Sequence, residues 1–159
     1  MSLAGDEARA DRVLTRPAHL FAYGILTRDD IVRAVTGRTY RMDTAVLPDY
    51  RRYGLPHPGN EVFAAIAPAS GHTVPGRLLW DVTDADLAAF DRVEEIGTGY
   101  YQHAVVHVRI DGRAEPVRAL AYVCGDARRA TLTGDWQPEA FTGEAAATFI
   151  RDVLPRLLG

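Results

Sequence analysis

A single cysteine, Cys124, is all the thiol chemistry in the sequence. That scarcity excludes an internal disulfide and any multi-cysteine metal site, and it fits a reducing compartment. Because Cys124 falls in the apolar run ALAYVC, it reads as core before it reads as a nucleophile. Basic charge is not in excess either: 18 Lys+Arg against 21 Asp+Glu give a formal net charge of -3. There is accordingly no basic footprint for nucleic acid and no basic amphipathic stretch for a membrane surface. No apolar run approaches the roughly 18 residues of a membrane span, and the N-terminus lacks the charged-then-apolar layout of a signal peptide. A soluble, cytoplasmic protein is the expectation, with no nucleic acid and no membrane among its partners. GxSxG elbows, phosphate loops and dinucleotide fingerprints are missing as well.

What is present is an ordinary globular composition, 47% hydrophobic and 25% charged over 159 residues, enough for one core without staples. Residues 1–16 (MSLAGDEARADRVLTR) are polar and aperiodic and are expected to be a flexible N-terminal segment; residues 17–159 are expected to form a single α+β domain. HLFAYGIL reads as a strand and tight turn entering a helix, TRDDIVRAVTGR, with Thr27 and Asp30 at capping-box spacing and Gly37 as its stop. From Tyr40 to Val82 three short strands (RMDTAVL, EVFAAIA, HTVPGRLLWDV) are set off by proline and glycine, the rhythm of a curved or barrel-like antiparallel sheet. Thr83 and Asp86 repeat the capping-box spacing and open a second helix that ends at Gly97 or Gly99. YYQHAVVHVRI and RAEPVRALAYV flank Asp111-Gly112 as a hairpin with a two-residue turn, and Pro116 points to a free edge or a bulge. The tail is helical by composition, with Phe149, Ile150, Val153, Leu154 and Leu157 on one side and Pro155 as a kink or stop.

Few residues stand out chemically. His103 and His107 are four apart, but in a strand four residues span roughly 13 Å, too far for one ion, so they read as the solvated face of the strand. His57 and His72 sit in loops without a spacing partner. A strand ending in Tyr23-Gly24 and running into a helix leaves backbone N-H groups at Gly24, Ile25 and Leu26, either a receptor for a carboxylate or simply a tight turn that glycine permits. Leu87, Phe90, Asp91 and Glu94 share one helical face, since Glu94 returns to within roughly 20° of Leu87. A carboxylate on that apolar face is either a group whose pKa is raised by desolvation or a helix-end side chain whose head reaches water. Glu95 points away and can be solvated.

Taken in order, these stretches resemble a known family. HLFAYGIL is similar to the FVYGTL opening of the gamma-glutamylcyclotransferase-like (AIG2-like) family, and AAFDRVEEIGTGYYQHAVVHV to its later signature. Between them YRRYGLP, EVFAAIAP and GHTVPGRLLWDV look like its intervening strands, with Val74, Gly76 and Leu78 in a V-x-G-x-L pattern, and ALAYV looks like its closing strand.

The resemblance implies a small mixed β-barrel flanked by helices. It implies a cyclisation of gamma-glutamyl compounds to 5-oxoproline with release of an amine or amino acid, without cofactor or metal. The family's substrate loop falls on Tyr23, Gly24, Ile25 and Leu26, and its catalytic glutamate on Glu94 rather than Glu95. Tyr101 and Tyr122 are candidate hydroxyls behind the substrate site or ordinary core aromatics. Ile25 stands where the family often has a small or hydroxyl residue, Glu95 where glycine is common, and His103 near a position often basic. The implied partner is a small gamma-glutamyl substrate; the protein itself is expected to be a monomer or weak homodimer. Two other readings stay open: removal of a gamma-glutamyl protecting group from a biosynthetic intermediate, and a non-catalytic module that binds a small carboxylate.

Overall fold

The computed structural model describes residues 16–159. The expected N-terminal segment lies outside the described residues except for Arg16, whose guanidinium donates to the Val82 carbonyl at 2.7 Å and pairs with Asp84 at 3.1 Å.

Alternation of side chains with a period of two decides what each strand buries on either face. On β1 (Leu20–Ala22) and just beyond it, Phe21 and Tyr23 join one apolar cluster, while Leu20 and Ala22 join another. On β5 (Val117–Cys124), Ala119, Ala121 and Val123 fall in the first cluster, and Leu120, Tyr122 and Cys124 in the second. A strand apolar on both faces needs cover on both, which is why ALAYVC, residues 119–124, is a continuous apolar run. The first cluster fills a barrel, and the second lies between the barrel wall and the helices. The strands β1, β2 (Met42–His57), β3 (Glu61–Leu79), β4 (Tyr101–Ile110) and β5 close in the order β1-β3-β2-β4-β5. β1 runs parallel to β5, and the other pairs are antiparallel. The expected mixed barrel with flanking helices is the observed architecture.

Helix α1 (Asp29–Thr36) ends at Gly37, whose φ of 78° and N-H bond to the Arg33 carbonyl make a left-handed cap. Its start departs from the capping-box expectation. Arg28 is the N-cap and provides no side-chain cap, while the Thr27 hydroxyl turns back to the Gly24 carbonyl at 2.6 Å. Helix α2 (Asp84–Val93) has half of its expected box: Thr83 accepts from the Asp86 N-H, but the Asp86 carboxylate goes to Arg38 and the Tyr40 hydroxyl instead of back to Thr83. α2 stops earlier than Gly97, with Glu94 as its C-cap and Glu95 at φ 51°.

Three further expectations are corrected. The three short strands between Tyr40 and Val82 are two long ones, β2 and β3, paired from Met42↔Leu79 to His57↔Glu61 with one register shift between Pro48 and Tyr50. Proline and glycine mark the bend there and do not end the strands: Asp49 takes φ 61°, Gly71 takes φ 82°, and the Gly71 N-H donates to the Asp49 carboxylate. The β4–β5 register, Tyr101↔Cys124 to Val108↔Val117, leaves a longer loop than two residues. Gly112 at φ 82° and the Arg113 N-H to the Ile110 carbonyl form a turn inside that loop, and Pro116 precedes the strand rather than interrupting it. Finally, of the kink or stop expected at Pro155, the stop does not occur: the tail continues as helix through the proline, with an irregular turn just before it. α3 (Gly143–Thr148) passes through a π turn, Phe149–Val153, into α4 (Leu154–Leu158), and the Leu154 N-H reaches the Phe149 carbonyl five residues back. The wider turn accommodates the proline ring and its missing N-H. None of these helices is long and apolar enough to cross a membrane.

Candidate active site

Where β1, the end of β2, the end of α2 and the C-terminal helices meet, the fold encloses a cavity of about 230 Å³. Tyr23, Gly24, Ile25 and Leu26 line one side of it, and Glu94, Tyr101 and Tyr122 line another. The sequence spread these residues over a hundred positions, and the barrel brings all seven to one space.

The loop after β1 is held from outside. The Arg52 guanidinium donates to the Tyr23 carbonyl at 2.9 Å and the Arg77 guanidinium to the Thr27 carbonyl at 2.9 Å. The Gly24 carbonyl accepts the Thr27 N-H at 3.1 Å, closing a 3₁₀ turn over Ile25–Thr27. Among the described residues the N-H groups of Gly24, Ile25 and Leu26 meet no acceptor. Gly24 makes a close approach of its own: a Cβ there would lie 3.0 Å from the Ala64 Cβ, closer than an ordinary contact.

The Glu94 carboxyl makes no hydrogen bond or ion pair among the described residues. Desolvation by the surrounding protein, reinforced by the charges of Glu95 and Asp91, raises its pKa from 4.5 to about 8. A carboxyl poised this way carries a proton at neutral pH and exchanges it readily. Glu95, expected to be an ordinary solvated helix end, also borders the cavity.

The three tyrosines are fixed neutral donors. The Tyr23 hydroxyl donates to the Tyr122 carbonyl, the Tyr101 hydroxyl to the Ala64 carbonyl at 2.8 Å, and the Tyr122 hydroxyl to the Asp91 carboxylate at 2.6 Å. Burial first, and nearby carboxylates after it, pushes all three pKa values well above the usual phenol range.

Two arrangements escaped sequence reasoning. Asp91 Oδ1 takes both the Tyr122 hydroxyl and His103 Nε2, the latter at 2.7 Å. One carboxylate thereby ties the last turn of α2 to β4 and β5, three residues before Glu94. The shared helical face of Asp91 and Glu94 was the available signal. The second is His57, which ends β2 and is not in a loop. Its Nδ1 lies 2.9 Å from the Leu55 carbonyl, an acceptor, so that nitrogen carries the hydrogen and Nε2 is the free acceptor. Tyr100 stacks on the ring with centroids 4.5 Å apart and Phe63 meets it edge-on at 5.0 Å. Desolvation lowers its pKa, so a neutral imidazole faces the cavity. Cys124 is fully buried and the sequence has no lysine. Among the described residues no three His, Cys, Asp or Glu gather as a metal site.

Asp91→Asn should lower the Glu94 pKa, because it removes one of the charges that raise it. The expected result is an acid shift of the Glu94 carboxyl titration, read by carbon NMR. Asp91→Ala should in addition cost about 1–3 kcal/mol by leaving the Tyr122 hydroxyl without its acceptor. An unchanged Glu94 titration in Asp91→Asn would show that the two carboxylates do not sense each other.

The model of the gamma-glutamyl cyclotransferase, AIG2-like family matches residues 20–138. AIG2-like protein D of Arabidopsis thaliana is 31% identical over 120 residues, 76% of this chain and 76% of that protein. A solution structure of an Arabidopsis thaliana protein superposes with a TM-score of 0.64 at 23% identity, covering 84% of this chain and 85% of that one. A structure described as gamma-glutamyl cyclotransferase superposes with a TM-score of 0.61 at 17% identity, covering 73% of this chain and 68% of that one. At those identities the two structures speak for the fold.

Proposed function

The chain belongs to the gamma-glutamyl cyclotransferase, AIG2-like family, and on that premise we propose that it cyclises a gamma-glutamyl group to 5-oxoproline and releases an amine, with Glu94 as general acid and base. The observation that carries this reading is the unpartnered Glu94 carboxyl, raised to a pKa of about 8, in the cavity that the Gly24–Leu26 loop also lines.

The substrate supplies its own nucleophile. Its α-nitrogen attacks the γ-carbonyl carbon, so the protein's task is to fold the glutamyl chain into attack geometry. The free N-H groups of the Gly24–Leu26 loop suit the α-carboxylate and the oxygen that gains charge as the carbonyl is attacked. Ionised Glu94 takes a proton from the α-ammonium, a new carbon–nitrogen bond closes the five-membered ring, and the tetrahedral carbon expels the leaving nitrogen. Glu94 returns the same proton to that nitrogen. The ring nitrogen sheds a second proton as it becomes the lactam N-H, and the departing amine takes it up and leaves as its ammonium, so α-ammonium and amide become lactam and ammonium with no oxidant, metal or covalent enzyme intermediate.

Incubation with a panel of gamma-glutamyl amides, followed by mass spectrometry, is expected to detect 5-oxoproline. No 5-oxoproline across a panel that spans small, apolar and carboxylated leaving groups would overturn the reading, and binding of the same compounds without turnover would favour a carboxylate-binding module.

A further inference from the structure

The cavity does not end at the residues that resemble the family. Glu61, Phe63, Phe149 and Val153 belong both to the cavity and to a more open groove of about 460 Å³ beside it. The floor of the groove is aromatic: the rings of Phe63, Phe141 and Phe149 meet pairwise at centroid distances of 5.9 to 6.5 Å. Val62, 46% exposed, and Ala145 extend the apolar wall. Its charged residues are Glu61 and Glu144, neither of which is in an ion pair among the described residues, and no basic side chain lines it. Most of this surface, from Phe141 to Val153, follows the point where the family match ends at residue 138. The π turn is what carries Phe149 and Val153 to the junction between the two spaces.

We propose that this groove holds the leaving-group half of the substrate, and that this half is an amine with an apolar, aromatic-sized body and no carboxylate. The proposal rests on the cyclotransferase reading for its geometry, because a gamma-glutamyl head in the cavity directs its amide nitrogen towards whatever space adjoins it. An aromatic floor and an apolar wall reward a ring or branched chain with buried area. Two glutamates without an ion-pair partner and a lining without a cation, among the described residues, penalise an anionic group and tolerate a neutral or cationic one. The competing contact is Arg156, which lines the cavity and donates its Nε to the Asp152 carbonyl at 3.2 Å; among the described residues the rest of its guanidinium has no partner and is open to a carboxylate.

Binding without chemistry separates the two. Monoamides of glutaric acid lack the α-amine and cannot cyclise. By calorimetry the phenethylamide should bind about tenfold more tightly than both the methylamide and the amide of phenylalanine, a preference of about 1.4 kcal/mol. Thr148→Trp, at an exposed groove position, should remove the advantage of the phenethylamide and leave the methylamide unchanged. Glu144→Arg should raise the affinity of the phenylalanine amide. Equal or tighter binding of the phenylalanine amide to the wild type, lost in Arg156→Ala, would overturn the proposal, as would indifference of the phenethylamide to Thr148→Trp. Release of 5-oxoproline from gamma-glutamyl phenethylamide is read separately. Groove-dependent binding without turnover removes the cyclotransferase reading and leaves the groove; turnover unaffected by Thr148→Trp does the reverse.

Discussion

Glu94→Gln is expected to yield a protein that is both inactive and more stable than the wild type. The glutamine keeps the shape of the side chain but cannot carry a proton between the two nitrogens, so kcat should fall by about 10³-fold, the usual weight of a general acid–base group. Glu95→Gln should retain activity, since Glu95 is assigned no proton, but it should not be silent. Removing the Glu95 charge takes away one of the causes that hold the Glu94 pKa up, and the rise of kcat/KM with pH should move towards acid. In the wild type that rise should have its inflection near the Glu94 pKa of about 8, because only the ionised form can accept the α-ammonium proton. Equal loss in both variants, or full activity in Glu94→Gln, would remove Glu94 from the mechanism.

The stability half of this expectation has the opposite sign from that of most carboxylates. The folded state holds the Glu94 proton up to about pH 8, whereas the reference value is 4.5. Below pH 4.5 both states are protonated, and the group contributes nothing to the pH dependence. Between those values the unfolded chain ionises and the folded one does not, so wild-type stability falls by about 1.4 kcal/mol per pH unit from this group. Above the folded value the loss is complete and constant. Glu94→Gln removes the penalty, so its advantage should be absent near pH 4.5, grow through pH 6 and 7, and level off above 8. Urea unfolding at four pH values would measure it, and an advantage independent of pH would indicate packing instead of ionisation.

How far the sequence foretold these arrangements depends on how local their causes are. The apolar runs ALAYVC and HLFAYGIL are local features, and two of the barrel strands, β5 and β1, follow from them. The helical-face argument is local too: it put Asp91 and Glu94 on the side of α2 that the structure turns towards β4 and β5. The bent β2–β3 pair was hidden because prolines 48, 56, 68 and 75 are punctuation in most chains, while here they ride in strands that bend at Asp49 and Gly71. The β4–β5 turn was misread for a similar reason: Asp-Gly favours a two-residue turn, but the cross-strand pairing set the register and left the pair inside a longer loop. Contacts between distant residues left no trace at all. Nothing near His57 announces Tyr100, nothing near Asp91 announces Tyr122, and the groove wall from the tail comes from packing over a π turn.

Gly76→Ala is the second change with a large expected effect, and it reaches the site through the fold. A Cβ at position 76 would lie 2.2 Å from the Ala22 carbonyl oxygen and 2.8 to 2.9 Å from the Phe21 ring. Neither neighbour can yield easily. Ala22 pairs with Arg77 on β3, and Phe21 pairs with Leu78 on β3 and Ala121 on β5, so β1 is gripped from both sides in a closed barrel. Moving β1 away from β3 opens the barrel and carries with it the Tyr23–Leu26 loop that begins one residue later. Overpacking a well-filled core costs about 1–3 kcal/mol and more where the obstacle is backbone, so Gly76→Ala should sit at or beyond the upper end of that range. Gly71→Ala is the control: its φ of 82° strains an L-residue but its surroundings are open, and it should cost about 1–2 kcal/mol. Chemical unfolding of the two variants gives the comparison. Amide resonances of residues 22–27 report the displacement, which should be large in Gly76→Ala and absent in Gly71→Ala. Equal stability of the two variants would mean that β1 slides freely between its neighbours, and the loop would then owe its shape to Arg52 and Arg77 alone.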